Sequence, residues 1–370
     1  MERIGIGIAG FGFIGRVHAL AFTSVPFYYG ELPFLPEIRG ICTSREETAR
    51  RAQEETGISF VTPSMDELCS SDDIDVMVVA LPNAFHRRAV EKAAQYHKAI
   101  YCDKPLAMNL AEAKDIRAII LDHHLIFGMS FQNRFAPPIL RAKQLIGEGF
   151  LGEVYRIRAT YLHSGYGDPQ RPMSWRLRKD LAGGGALYDL GSHGVDLIRF
   201  LLGEMRVVSA RGKTFIPERP VSVNSNKREA VLVDDWSQVD FELRSGAPGT
   251  LETSRFATGS CDELRLEIEG QKGALRYHSL QPNYLEVYDS TRNSGPYGGD
   301  RGFQFIETVQ QYPAPNKIPG KFAVGWDRFH IASAHDFLLR LAGKASIGAT
   351  IDDGVKVQEF LETSYQLMGY

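Results

Sequence analysis

Long apolar runs are missing from this chain of 370 residues. No stretch approaches the roughly 18 consecutive apolar residues that a membrane-spanning helix needs, so neither a spanning helix nor a membrane partner is expected. Cysteine is scarce: Cys42, Cys69, Cys102 and Cys261 are the only ones, with no C-x-x-C spacing and no histidine beside them. That pattern argues against a disulfide framework or a zinc ribbon. The amino terminus runs from Met1-Glu2-Arg3 straight into Ile4-Gly5-Ile6 without an apolar leader, and the joint expectation is reduced thiols in the cytoplasm. An excess of charge is missing too. With 42 Lys and Arg against 45 Asp and Glu, the net charge of −3 leaves no basic footprint for nucleic acid or an anionic surface. Arg50 and Arg51 sit among Glu46, Glu47, Glu54 and Glu55 and read as the solvated face of a helix. Internal repeats and low-complexity tracts are absent.

What is present is a globular composition, 44% apolar and 24% charged, in a chain too long for one hydrophobic core. The first third alternates strand-like and helix-like segments, which predicts a parallel sheet covered by helices. Strands are expected at Ile4–Ala9, 38–43, Asp75–Leu81, Ala99–Cys102 and 125–130, and helices at 45–56, 84–96 and 109–121. The segment from Pro26 through Pro33 to Pro36 reads as a surface loop, because proline cannot continue a helix. Beyond residue 150 the pattern becomes strands at 152–163, 231–244, 249–258, 263–270 and 273–278, separated by glycine-containing turns and interrupted by one long helix at 186–202. This predicts an α+β domain with an open-faced, largely antiparallel sheet. Residues 290–325, rich in Gly and Pro, read as a long loop, and helices at 327–342 and 352–367 close the chain. The expected organisation is a dinucleotide-binding domain at 1–133 and a substrate-binding and self-associating domain at 134–370, with the closing helices free to pack back on the first. A bare apolar sheet face would favour a homodimer or homotetramer.

Four segments carry chemistry. Gly10-Phe-Gly12-Phe13-Ile14-Gly15 follows a strand and opens a helix, the context of a dinucleotide fingerprint and hence of a Rossmann domain. Its glycines permit a tight turn, approach of the backbone to a pyrophosphate, and close helix–strand packing. NAD sites usually end the second strand on a carboxylate; here Thr43-Ser44-Arg45 stands there. A hydroxyl beside a guanidinium suits a 2′-phosphate, so NADP is preferred over NAD; the alternative is that Arg45 merely starts the next helix and stacks on the adenine, with either cofactor accepted. Asp103-Lys104-Pro105 ends another strand, where a lysine can donate to a substrate oxygen or simply be solvated. In Gly183–Gly203, Asp189 and His193 lie one helical turn apart. A carboxylate beside an imidazole makes it a better base near neutral pH. The same pair also fits a packed core histidine, or metal ligation with no third ligand nearby.

Together, Gly10–Gly15, Cys102–Leu106 and Gly183–Gly203 resemble the Gfo/Idh/MocA family, named for glucose–fructose oxidoreductase and inositol dehydrogenase. The resemblance extends to Leu81-Pro82-Asn83-Ala-Phe-His86, Gln132-Asn133-Arg134-Phe135, Trp175-Arg176 and Thr350–Gly354. It implies a Rossmann domain followed by an open-faced α/β domain, with the active site between them. It implies Lys104 and His193 as the catalytic pair, with Asp189 supporting His193. It further implies that Leu81, Pro82, Asn83, His86, Asp103, Lys104 and Asn133 join the glycine turn in holding the cofactor, and that Lys104–Pro105 is cis. Trp175 and Arg176 would bind a polyhydroxylated ring, or merely pack a loop. Where the family usually has Glu, this chain has Asp103, which bears on how Lys104 or the ribose is held. The implied activity is hydride transfer between a nicotinamide and a carbinol carbon of a sugar or polyol. The alternatives are a glycoside hydrolase with a retained NAD and a nucleotide-binding regulator without turnover.

Overall fold

Isoleucines 4, 6 and 8 are all buried, and so is every residue from Val76 to Val79, as strands covered on both faces must be. In the computed structural model, which describes residues 2–311 and 316–370, these runs are β1 (Arg3–Ala9) and β4 (Val76–Val79). They are joined by β2 (Leu35–Cys42), β3 (Phe60–Thr62), β5 (Ala99–Asp103) and β6 (Phe127–Ser130) in one parallel sheet. Its order, β3-β2-β1-β4-β5-β6, is that of a Rossmann domain. The helices between are α1 (Phe13–Tyr28), α2 (Glu46–Thr56), α3 (Met65–Ser70), α4 (His86–Gln95) and α5 (Leu110–Asp122).

Two expectations fail here. Pro26 lies inside α1, within its last turn, so only one backbone bond is forfeited. Phe22, Val25 and Tyr29, all buried, hold that turn in place. The second strand then begins at Leu35, earlier than expected: Pro36 pairs with Ile4 of β1, while β3 reaches only Gly40–Cys42, so the proline faces no partner on its other side. β3 and α3 escape the sequence reading, although Ser64 caps α3 by accepting from Glu67 N at 3.2 Å, a capping-box spacing that could have revealed it.

The second sheet runs β16-β15-β14-β13-β7-β12-β11-β8. Its strands are β7 (Val154–Leu162), β8 (Met205–Lys213), β11 (Trp236–Leu243), β12 (Pro248–Ser254), β13 (Glu263–Gly270), β14 (Gly273–His278), β15 (Tyr284–Asp289) and β16 (Gln304–Glu307). A separate ribbon pairs β9 (Glu218–Pro220) with β10 (Arg228–Ala230). All neighbours in the large sheet are antiparallel except β12 and β7. The strand expected at 231–244 begins only at Trp236. β8 and β15 were not expected, and neither was β16 within the supposed loop at 290–325, of which residues 312–315 lie outside the described part. Helices α6 (Pro137–Gly147), α7 (Lys179–Ala182) and α8 (Ser192–Leu202) belong to this unit.

The expected bare apolar face is not there. Strict alternation sends Ile157, Ala159, Val239, Phe241, Leu251, Leu266 and Ile268 to the buried side. The other side is a lattice of polar pairs: Arg156–Glu269 at 2.7 Å, Arg158–Glu267 at 3.2 Å, Ser209–Asp240 at 2.6 Å and Trp236–Glu252 at 2.7 Å. One unit comprises Met1–Gln132, Pro313–Gly320 and Gly325–Gln358, and the other Asn133–Tyr312, Lys321–Val324 and Glu359–Tyr370. The closing helix α9 (Trp326–Leu341) thus falls in the first, and α10 (Ile351–Met368) is divided between the two.

Candidate active site

The glycines of the first turn have distinct surroundings. Gly10 has φ +93°, and a Cβ there would meet Ala80 O at 2.3 Å; at Gly15 a Cβ would meet Gly10 O at 2.0 Å. At Gly12 a Cβ would meet nothing within 4 Å. The turn is therefore tight at both ends and open at its tip, beside the amino terminus of α1, as a cradle for a pyrophosphate requires. Phe13, at that tip, is largely exposed and stacks on Trp326 of α9 with centroids 5.9 Å apart, while Ile14 is half-buried. Arg16, not singled out from the sequence, donates to Phe11 O at 2.7 Å and to Glu55 at 2.6 Å, fastening the turn to α2.

At the end of β2, Gly10 N donates to Cys42 O at 2.8 Å, and the Thr43 hydroxyl donates to Arg45 O at 3.1 Å. Ser44 and Arg45 remain exposed. At the end of β4, Leu81 and Pro82 are half-buried and Asn83 is buried. His86 is fully buried, with Nε2 2.9 Å from Leu81 O and Nδ1 3.2 Å from Leu106 O and 3.7 Å from Cys102 Sγ. Burial pulls its pKa below the ordinary histidine value. Main-chain carbonyl oxygens thus face both ring nitrogens, and the neighbouring Cys102 thiol, its pKa pushed well up by burial, donates to Asp103 O at 3.4 Å. An imidazole so enclosed has no surface to offer a ligand; it acts by tying the loop after β4 to the segment after β5.

At the end of β5, Lys104 is half-buried and its bond to Pro105 is cis, as the resemblance implied. Asp103 Oδ1 lies 3.6 Å from His18 Nε2. Burial alone would raise the Asp103 pKa, but His18, Lys104 and His86 hold it below the usual carboxylate value.

In the second unit the helix expected at 186–202 begins as a π turn, Leu187–Gly191, before α8. Asp189 is in the π turn and His193 opens α8. Asp189 Oδ2 accepts from Arg255 Nη2 at 3.1 Å and lies 3.7 Å from Arg176 Nε. His193 is buried, its ring 5.7 Å from that of Tyr161. Arg176 lies over the Trp175 ring at 4.5 Å, both half-buried. Asn133 is buried, and the next residue, Arg134, forms a buried forked pair with Asp196 at 2.6–3.1 Å, which fixes α8 to the segment entering the unit. Asp234 accepts from Gly185 N at 3.0 Å and Leu187 N at 2.9 Å, shaping the approach to the π turn. The sequence reading placed Arg134 and Asp196 in motif segments without giving them a role and did not single out Asp234 or Arg255, because each partner lies far along the chain. Among the described residues no three His, Cys, Asp or Glu side chains gather as a metal site, and no helix is long and apolar enough to cross a membrane.

Residues 4–131 match the oxidoreductase family with an NAD-binding Rossmann fold, and residues 139–276 match the GFO/IDH/MocA C-terminal domain. The chain is 31% identical over 371 residues to a levoglucosan dehydrogenase of Pseudarthrobacter phenanthrenivorans, covering 96% of this chain and 94% of that one. It is 27% identical over 290 residues to an inositol 2-dehydrogenase of Rhizobium meliloti, covering 76% and 77% respectively. A solved structure of levoglucosan dehydrogenase in complex with NADH and levoglucosan superposes with a TM-score of 0.92 at 30% identity, covering 100% of this chain and 98% of that one.

Proposed function

Because the chain belongs to the Gfo/Idh/MocA oxidoreductase family, we propose that it oxidises a secondary alcohol of a sugar, anhydrosugar or polyol with a nicotinamide dinucleotide. The supporting observation is that one chain combines an open glycine turn fit for a dinucleotide with Lys104, Asp189 and His193. The nicotinamide, when bound, supplies the hydride acceptor. Lys104 donates to the reacting oxygen and favours its ionisation. His193 takes the hydroxyl proton, and Asp189 orients that end of α8. Trp175 and Arg176 bind the ring, the indole against its apolar face. The glycine turn and Leu81, Pro82, Asn83 and Asn133 hold the dinucleotide, with His86 supporting from beneath.

Mixing the protein with NAD or NADP and a panel of levoglucosan, inositols, sorbose and aldoses, followed at 340 nm, tests this reading. Reduced dinucleotide should accumulate with at least one alcohol. Conversion of a glycoside without such accumulation would instead support the retained-cofactor hydrolase, and no turnover at all would support the regulator.

For the cofactor two observations pull apart. Ser44 and Arg45, exposed at the end of β2, favour NADP, whereas the NADH in the similar solved structures favours NAD as a second reading. Four free thiols, three of them buried, support a reducing cytoplasmic setting. With the second sheet's outer face polar, a homodimer or homotetramer formed there would be held by paired charges, and sedimentation should then show it weakened by salt.

A further inference from the structure

Arg255 follows directly on β12 and is among the largest fully buried side chains of the protein, 1% exposed. A guanidinium withdrawn from water needs its charge answered and its donors engaged; here Nε is buried without a hydrogen-bond partner among the described residues, and the contacts fall to the other two nitrogens. Its two outer nitrogens divide between two segments: Nη1 donates to Arg176 O at 3.1 Å, and Nη2 donates to Asp189 Oδ2 at 3.1 Å. Its flank lies 4.9 Å from the centre of the Tyr166 ring, and its own backbone N–H donates to Asp235 O at 2.9 Å. Burial works against the charge, yet the carboxylates of Asp189 and Asp234 keep the group's pKa above its ordinary value. The two groups it grips belong to segments far apart in sequence, the Trp175-Arg176 turn and the π turn ahead of His193, and nothing in the local pattern around Arg255 announces it.

We infer that Arg255 is a positioning residue for the alcohol-oxidising reaction, its forked guanidinium setting the Asp189 carboxylate and the Trp175-Arg176 main chain in one fixed relation. The inference rests on the reading of Asp189, His193, Trp175 and Arg176 under Proposed function. It also explains why arginine is needed: the three donors of a lysine sit on one compact nitrogen at the end of a flexible stem and cannot hold two separated acceptors in a planar fork.

The test compares Arg255→Met and Arg255→Lys with wild type, using levoglucosan or whichever alcohol of the panel is oxidised fastest. Expected for Arg255→Met is a fall in kcat of roughly tenfold to a hundredfold, the scale of a lost hydrogen bond to a charged group, with dinucleotide Kd unchanged. Arg255→Lys should lie between. In an Asp189→Asn background, Arg255→Met should add little, because the two act as one unit. Wild-type kcat and KM in folded Arg255→Met, or losses that multiply in the double variant, would overturn the inference. Should Arg255→Met not fold, Arg255→Lys decides by the same criteria: wild-type kinetics, or full additivity with Asp189→Asn, would overturn it. If Asp189→Asn and His193→Ala themselves retain full turnover, the reaction assignment fails; if they collapse while the Arg255 variants do not, only the role of Arg255 fails.

Discussion

The candidate residues of the two units are presented in different ways. In the first unit they lie on turns at the carboxyl ends of parallel strands: the Gly10–Gly15 turn after β1, Thr43–Arg45 after β2, Leu81–Asn83 after β4 and Asp103–Pro105 at the end of β5. Each is a few consecutive residues whose spacing follows from strand and turn geometry. In the second unit the corresponding region is made from side chains, with Asp189 held by Arg255, Arg134 by Asp196, and the π turn by Asp234. A turn takes most of its shape from its own backbone, with a few ties such as Arg16–Glu55 and His86–Leu106 added from farther along the chain. A side-chain site depends on them.

The largest expected effect lies in the second half. His193→Ala should lower kcat by about 10²–10⁴, the usual loss of a general base, while dinucleotide affinity and melting temperature stay near wild type. Steady-state kinetics with a fluorescence titration of NADH check this. A variant that is unstable yet turns over normally once folded would return His193 to the core and erase the contrast between the halves.

Acid should strike the first unit. His335 stacks on Tyr29 with centroids 3.7 Å apart and planes 6° from parallel. Burial first, then Arg328 and Lys344, push its pKa down to about 4. An unfolded histidine takes up its proton near pH ~6.5, so between there and about 4 the unfolded chain binds the extra proton. This contribution is therefore complete above the unfolded value and is lost as pH falls through that window, by up to about 3 kcal/mol. His335→Phe keeps the ring stack and should flatten the fall. Denaturant midpoints at several pH values test it, and equal slopes for variant and wild type would remove His335 as the cause.

This difference in construction also sets what was legible in the sequence. The Rossmann half could be read because β1 must be apolar on both faces, and because glycine is required at Gly10 and Gly15 by contacts a side chain would violate. Position and role were harder to infer where geometry is not local. Pro26 was read as a helix breaker, but a last-turn proline forfeits little when Phe22 and Val25 are anchored in the core. His86 matched a motif and suggested a ligand contact, yet its ring is spent on main-chain carbonyls. The apolar sheet face was inferred from topology alone, whereas Arg156, Arg158, Glu267 and Glu269 alternate so as to pair across strands. Arg255 carries no local signature.

A substitution at the tip of the glycine turn separates binding from folding within the first half. Gly12 has φ −78° and open space where a Cβ would go, so Gly12→Val should leave the melting temperature near wild type. The added bulk would stand where the pyrophosphate approaches. An overpacking penalty of about 1–3 kcal/mol predicts roughly 5- to 150-fold weaker dinucleotide binding. Gly10→Val should instead destabilise the fold, since its φ of +93° and the Ala80 carbonyl at 2.3 Å both oppose a side chain. Equal behaviour of the two variants would mean that the turn is not the cradle.

The smallest effect concerns which dinucleotide the first half prefers. Arg45 begins α2 from an extended backbone and is exposed, next to exposed Ser44. Its guanidinium would meet a 2′-phosphate in water rather than in a closed pocket, so its worth belongs at the low end of the range for hydrogen bonds to charged groups, about 1.5 kcal/mol. Arg45→Asp should therefore weaken NADP about tenfold, with some further loss from repulsion that salt would screen. NAD should be held as well or slightly better, because a carboxylate at the end of β2 can accept from the ribose hydroxyls. Titration of both reduced cofactors against wild type and variant gives the answer as a ratio of ratios, independent of how much protein is active. Wild-type protein that binds NADH more tightly than NADPH, with the ratio unmoved by Arg45→Asp, would end the case for NADP and leave Arg45 as the first residue of a solvated helix.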